Sequence, residues 1–265
     1  MPSSPGYLVG EDRDTVRKRA SFFCVNDITG ETYWSGKSFP EPWWIGIEAV
    51  SSTMVFLHEY ATPDMPEHKK IHAVNLSTGV LAWSNQELKF LFVQGNHVYA
   101  VQDNFDKRIY FALDMTTGNI VSEVDREYLT TVQEEVRGDR FSRIEYPRLC
   151  TDESIGSEVY QKVQFVLSRV QNPVHPEYLV TNNCLIVSYY ENLSGTGDGS
   201  EFRQNLLVAS LDGKKNLYLD SILSRANAPM SGSFFCIDDF FYYVREKNTL
   251  TAVNISPVGG SHGKN

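Results

Sequence analysis

The residues that could do chemistry are few. His68 and His72 stand four apart, a spacing that on a helix places two imidazoles on one face, as a metal pair requires. Pro63 and Pro66 precede the pair, Lys69 and Lys70 separate it, and His72 opens an apolar run that reads as a strand. Along a strand, residues four apart stand about 13 Å from each other, too far to share one ion. A solvated loop is therefore expected at the pair, and no metal site. Asn192–Glu201 reads NLSGTGDGSE, with Asp198 and Glu201 among glycines. It lacks both a P-loop lysine and the ligand order of a calcium loop, so a flexible connection between strands is expected. The chain has no GxSxG, no HExxH and no Cys or Ser in a recognisable activating context. No catalytic residue is expected, and no cofactor.

Two groups remain as contact candidates for a partner or ligand. Trp43 and Trp44 follow Pro40-Glu41-Pro42. On a strand, adjacent side chains face opposite ways, so one ring should pack inside and the other be offered as an anchor. Arg143, Glu145, Tyr146 and Arg148 lie in a polar stretch around Pro147 and are placed to present charge. Of these, Arg143, Tyr146 and Arg148 join the two tryptophans as candidate contacts.

The elements that must position these residues follow from composition and pattern. The chain has 265 residues, 42% apolar and 22% charged, which is the balance of a folded globular protein. The net charge of -9, without a basic block, disfavours nucleic acid and anionic membranes as partners. No apolar stretch approaches the roughly 20 residues of a membrane helix. The start shows no apolar segment behind a basic one, and a cytoplasmic location is expected. Cys24, Cys150, Cys184 and Cys236 are widely separated, two of them in strand-like runs, and are expected as reduced thiols.

The strongest signal is repetition. Residues 22–34 read FFCVNDITGETYW, residues 71–83 IHAVNLSTGVLAW and residues 110–122 YFALDMTTGNIVS. Each has a small residue (Cys24, Ala73, Ala112), then Asn26, Asn75 or Asp114, then Thr-Gly. A Trp follows at Trp34 and Trp83, and Ser122 in the third copy. Shortened copies run through Leu207–Gly213 and Leu250–Ile255. In each unit a strand enters a turn capped by the Asn/Asp side chain, Gly supplies positive φ, and a second strand leaves. The small residue is expected to leave room for a Trp docking from a neighbouring sheet. Between these hairpins lie further strand pairs: 45–50 with 54–60, 89–93 with 97–102, 178–180 with 185–190, and 232–237 with 240–245. Four strands per period of 40–50 residues is the content of a propeller blade.

The pattern small-x-[Asp/Asn]-x-x-Thr-Gly-x-x-x-Trp resembles the tryptophan-docking repeat of quinoprotein-like (PQQ-type) β-propellers. The length and layout also resemble a domain-of-unknown-function family from Bacteroidetes. The first resemblance implies an all-β fold, a β-propeller of about five blades with six possible. The enzymes of that family have larger propellers, and many have a disulfide between adjacent cysteines. The chain is too short for eight such blades and has no adjacent cysteines, so the repeat is read as structure without a quinone cofactor.

The expected organisation is an N-terminal segment over 1–19, partly flexible, one propeller domain over 20–257 and a disordered tail over 258–265. Blades are expected at 43–84, 88–124, 177–219 and 229–255, the last closed by N-terminal residues, with a divergent blade or insertion over 125–170. Within that stretch Leu129, Val132 and Val136 predict a short helix at 126–137. Alternation through Val159, Gln161, Val163, Phe165 and Leu167 predicts a strand. The functional expectation is a non-catalytic binding or scaffold propeller with an unidentified protein or small-molecule partner. The alternative is a small-molecule site or enzyme at the mouth of a central channel.

Overall fold

The computed structural model describes residues 6–62, 65–105, 107–137, 144–151, 156–181, 184–193 and 201–256. The chain forms two compact units, residues 1–140 and 141–265. The all-β class read from the sequence is the class of the structure, and its sheets have the up-and-down antiparallel order of propeller blades.

The first unit holds three sheets. Strands β1 (Leu8–Asp14), β2 (Arg19–Val25) and β3 (Thr32–Lys37) form the first. The second contains β4 (Ile45–Val50), β5 (Met54–Thr62), β6 (Met65–Asn75) and β7 (Leu81–Asn85). The third contains β8 (Lys89–Gln94), β9 (His97–Asp103), β10 (Arg108–Asp114) and β11 (Ile120–Val124). Helix α1 (Arg126–Arg137) follows, as its apolar spacing predicts, and sets Leu129 and Val132 against Phe92 and Tyr99.

The second unit begins with two short strands, β12 (Ile144–Glu145) and β13 (Arg148–Leu149), and helix α2 (Glu158–Leu167). Strands β14 (Pro173–Val180), β15 (Cys184–Asn192), β16 (Phe202–Ser210) and β17 (Asn216–Ala226) form a sheet with β13 at its edge. Strands β18 (Phe234–Ile237), β19 (Phe240–Arg245) and β20 (Thr249–Asn254) form another, with β12 at its edge.

One expectation about an element is corrected. Residues 158–167 are helical, not a strand. Ser157 caps the helix by accepting the Tyr160 N–H, and Val163, Val166 and Leu167 are buried against Leu185, Val187 and Leu207. The same valines that alternate also fall at helical spacing, and the cap decides between the two periods. Within 125–170 the described residues hold α1, α2 and the short strands β12 and β13, which extend neighbouring sheets. Leu8–Asp14 pair with β2 along their whole length, and Ile144–Glu145 supply the fourth strand beside β18. The tail over 258–265 and residues 194–200 of the glycine-rich loop lie outside the described residues.

The repeat acts through its turn. Asn26, Asn75 and Asp114 each accept backbone N–H bonds from the residues two and three positions on, at 2.8–3.1 Å. The Trp then reaches the next sheet. Trp34 Nε1 donates to Leu76 O at 2.7 Å, and Trp83 Nε1 donates to Met115 O at 3.0 Å. Each indole lies over the glycine of the following turn. A Cβ on Gly79 would stand 2.7 Å from Trp34 Cδ2, and one on Gly118 would stand 2.5 Å from Trp83 Cδ2. Glycine is thus required twice over, for positive φ and for the space the indole occupies. The small residues have a different part from the one expected. Cys24 and Ala73 are the cross-strand partners of Trp34 and Trp83 within their own sheets. In the second unit, Gly213 is covered instead by Phe165 and Val166 of α2.

Candidate functional site

In the sheet β4–β7, three strands bring Glu48, His58 and His68 together. Gly46 pairs with His58, so the imidazole stands over a residue without a side chain; a Cβ there would lie 3.2 Å from the ring. Glu48 is the extra residue of a bulge in β4, between the Ile47–Leu57 and Ala49–Phe56 pairs, and it turns its carboxylate toward β5. His68 pairs with residue Tyr60 on β5 and lies on the His58 face. Lys70 adopts φ 59° beside a second register shift, which puts His72 on the other face. There His72 Nε2 meets Glu59 Oε1 at 3.0 Å and its Nδ1 meets Ser84 Oγ at 2.8 Å, while Lys70 Nζ pairs with Glu59 at 2.8 Å. The two histidines noticed in the sequence therefore belong to different clusters, and the partners of His68 are residues the sequence reading passed over.

The geometry of the trio is tight. The His58 and His68 rings stack 3.5 Å apart at 6°, and Nδ1 of each lies 2.7 Å from Glu48 Oε2. His58 is 3% exposed and neither of its ring nitrogens makes a hydrogen bond, so its approach to Oε2 is close but out of line. Burial would raise the Glu48 carboxyl, but the two imidazoles outweigh it and hold the group below the usual carboxylate range. Tyr60 sets its edge against both rings, and Trp44 sets its own against Tyr60.

The candidate tryptophans sit beside this cluster. The Glu41 carboxylate accepts the N–H groups of both Trp43 and Trp44. Trp43 is half-buried beneath two cations, with the Arg13 guanidinium 5.3 Å and the Lys18 ammonium 4.8 Å from the ring. Trp44 is 38% exposed. One ring is thus covered and the other offered to solvent, though the cover comes from charged side chains of β1 and of the turn that follows it.

The second unit carries its own concavities. Tyr146 and Arg148 line a cavity of about 560 Å³ with Val159, Tyr178 and Leu179. Arg143 lies outside the described residues. A larger cleft of about 660 Å³ lies between the β13–β17 and β12–β20 sheets, lined by Tyr190, Ile222, Phe234, Tyr242, Tyr243 and the segment 226–233. That segment is latched. Buried Glu177 accepts from Gly232 N at 2.5 Å and from Ser233 Oγ at 2.8 Å, His175 Nε2 meets Ser231 Oγ at 2.9 Å, and Tyr190 Oη accepts from Met230 N at 3.2 Å. On the facing strand, Tyr243 Oη donates to Asp220 and meets Tyr218 Oη at 2.8 Å. Burial, then the Asp220 contact, pushes the Tyr243 phenol far above its usual range, so it stays protonated. The sequence showed the strands of this cleft but not the latch, which depends on residues 40 to 56 positions apart.

The structure is an all-β protein built of blade-like sheets, and the described residues contain no helix long and apolar enough to cross a membrane. A family described as a domain of unknown function (DUF4905) matches residues 2–83, less than a third of the chain. No curated protein matches. Among solved structures, Kluyveromyces lactis Hsv2 is similar at 8% identity and TM-score 0.25, over 94% of this chain and 74% of that one. Kuenenia stuttgartiensis hydrazine synthase is similar at 10% identity and TM-score 0.24, over 94% of this chain and 62% of that one. At these scores no property of either protein transfers to this chain.

Proposed function

We propose that the protein is a ligand-binding module whose second unit takes a small, largely apolar molecule in the cleft beneath segment 226–233. The observation that carries this reading is the cleft itself. Its volume of about 660 Å³ falls within the range of small-molecule sites. Its walls are mostly apolar and aromatic, and its rim segment is held by three side chains from β14 and β15 rather than left loose. Lys247 at the rim favours an acidic group on the ligand. The reading keeps the repeats structural, of the quinoprotein kind without its cofactor, within a propeller. It places the protein in the cytoplasm, in keeping with the four free thiols.

The test is a thermal-shift screen of the whole chain against small aromatic and aliphatic acids, repeated with Met230→Asp. Met230 is 71% exposed, so the substitution alters the rim without threatening the core. A ligand at a hundredfold excess over its dissociation constant should stabilise the fold by about 2.7 kcal/mol, and Met230→Asp should weaken it at least tenfold. Silence across the acids, or a shift that survives Met230→Asp unchanged, overturns the proposal.

A further inference from the structure

We propose that Glu48, His58 and His68 bind a divalent d-block cation, with Zn²⁺ the species best matched to two imidazoles and one carboxylate. The site belongs to the first unit and is independent of the cleft.

The donor set is the first argument. One ligand atom from each residue lies within 4.8 Å of the others. Two histidines and a carboxylate are a recurrent set for zinc and related ions, and they leave further positions open. The second argument is His58. A buried imidazole ordinarily has both nitrogens satisfied, because a polar atom withdrawn from water without a partner is costly. His58 is 3% exposed and has neither nitrogen hydrogen-bonded. Its Nδ1 nevertheless points into the cluster, 2.7 Å from Glu48 Oε2.

The third argument is the crowding of one oxygen. Both imidazoles bring Nδ1 to the same Oε2 while stacking face to face. A cation that accepts a lone pair from each ring and neutralises the carboxylate satisfies all three groups at once. Metal bonds of about 2.0–2.1 Å in tetrahedral geometry set donor atoms roughly 3.4 Å apart, so the present contacts of 2.7 Å must open by about 0.7 Å. His68, with its side chain 37% exposed, is the ring with freedom to move, and its exposure gives solvent or a ligand access to an open position.

The surrounding charges permit the ion. Arg13 stands on the His58 side, its Nη2 3.6 Å from where a Cβ on Gly46 would lie. Its guanidinium is committed to Trp43 O at 3.0 Å, to Ile45 O at 2.6 Å and to Glu11 at 2.8 Å, which offsets its charge. Lys70 and His72 are engaged by Glu59 on the opposite face. The donors stand on adjacent strands rather than on a loop, which holds them in register.

The experiment is calorimetric titration of the whole chain with Zn²⁺, paired with visible absorption on adding Co²⁺. The expected result is one ion per chain, with the d–d bands of imidazole-ligated Co²⁺. Affinity should fall at least tenfold in His68→Ala and in Glu48→Gln, two partly exposed positions whose replacement spares the core. It should be unchanged in His97→Ala, a histidine on β9 outside the cluster. Circular dichroism of each variant separates loss of the site from loss of the fold. Absence of binding to the folded wild-type chain overturns the proposal, as does binding that survives both His68→Ala and Glu48→Gln.

Discussion

The turn of the repeat shows how one side chain can hold a hairpin. Asn75 Oδ1 accepts from Ser77 N and Thr78 N at 3.1 Å and also from both hydroxyls of those residues. Asn75→Ala leaves two N–H groups to water and should cost about 1 kcal/mol, read as a lower urea midpoint. Asn75→Asp should cost less, because Asp114 makes the same bonds in the third copy. These turns were legible because their residue types carry the mechanism. The trio of Glu48, His58 and His68 was not, because it depends on a bulge at Glu48 and a left-handed Lys70, neither of which is marked by glycine or proline.

Between strands and sheets, the Trp-over-Gly seam makes a sharper forecast. Gly118→Ala forces a Cβ into Trp83 and imposes a left-handed alanine, so it should cost about 2–4 kcal/mol. Gly95→Ala shares the positive φ but meets nothing within 4 Å, and should cost only about 1 kcal/mol. Equal losses in denaturant titrations would show that the seam contributes nothing beyond backbone strain. A second link is ionic: Lys89 on β8 bonds Asp103 on β9 at 2.7 Å and also reaches Glu67 on β6. The Lys89 contact holds the Asp103 carboxyl below its usual range, and Asp103, then Glu67, raises the lysine above its own. Asp103 therefore contributes stability above its unfolded value near 3.8, lost as pH falls through its lowered folded value. Lys89 contributes below its unfolded value near 10.5, lost as pH rises through its raised one. Lys89→Met should remove under about 1 kcal/mol between those limits and flatten both edges of the stability profile. The elements themselves were readable wherever short turns separated apolar runs. They were misread at α2, where alternation and helical spacing coincide.

For the chain as a whole, charge limits the partners. With a net charge of -9 and no basic block, the protein should bind a fluorescent DNA duplex no more tightly than about 10⁻⁴ M at physiological salt. Anisotropy that rises at micromolar protein would contradict this. The sequence revealed the blade-like sheets of both units because each sheet is local in the chain, most of its strands following one another. It concealed what is assembled across long separations: the short edge strands at residues 144–149 and the glutamate that latches segment 230–233.

The indoles that seal the seams also make the molecule its own optical reporter. All four tryptophans, Trp34, Trp43, Trp44 and Trp83, fall within residues 1–140, so indole emission arises from that unit alone. Trp34 and Trp83 have their N–H groups tied to carbonyls, Trp43 lies under cations, and Trp44 faces water. A soluble quencher will therefore extinguish Trp44 first. A red shift will register the parting of sheets in the first unit, while events confined to the second leave the colour of the light unchanged.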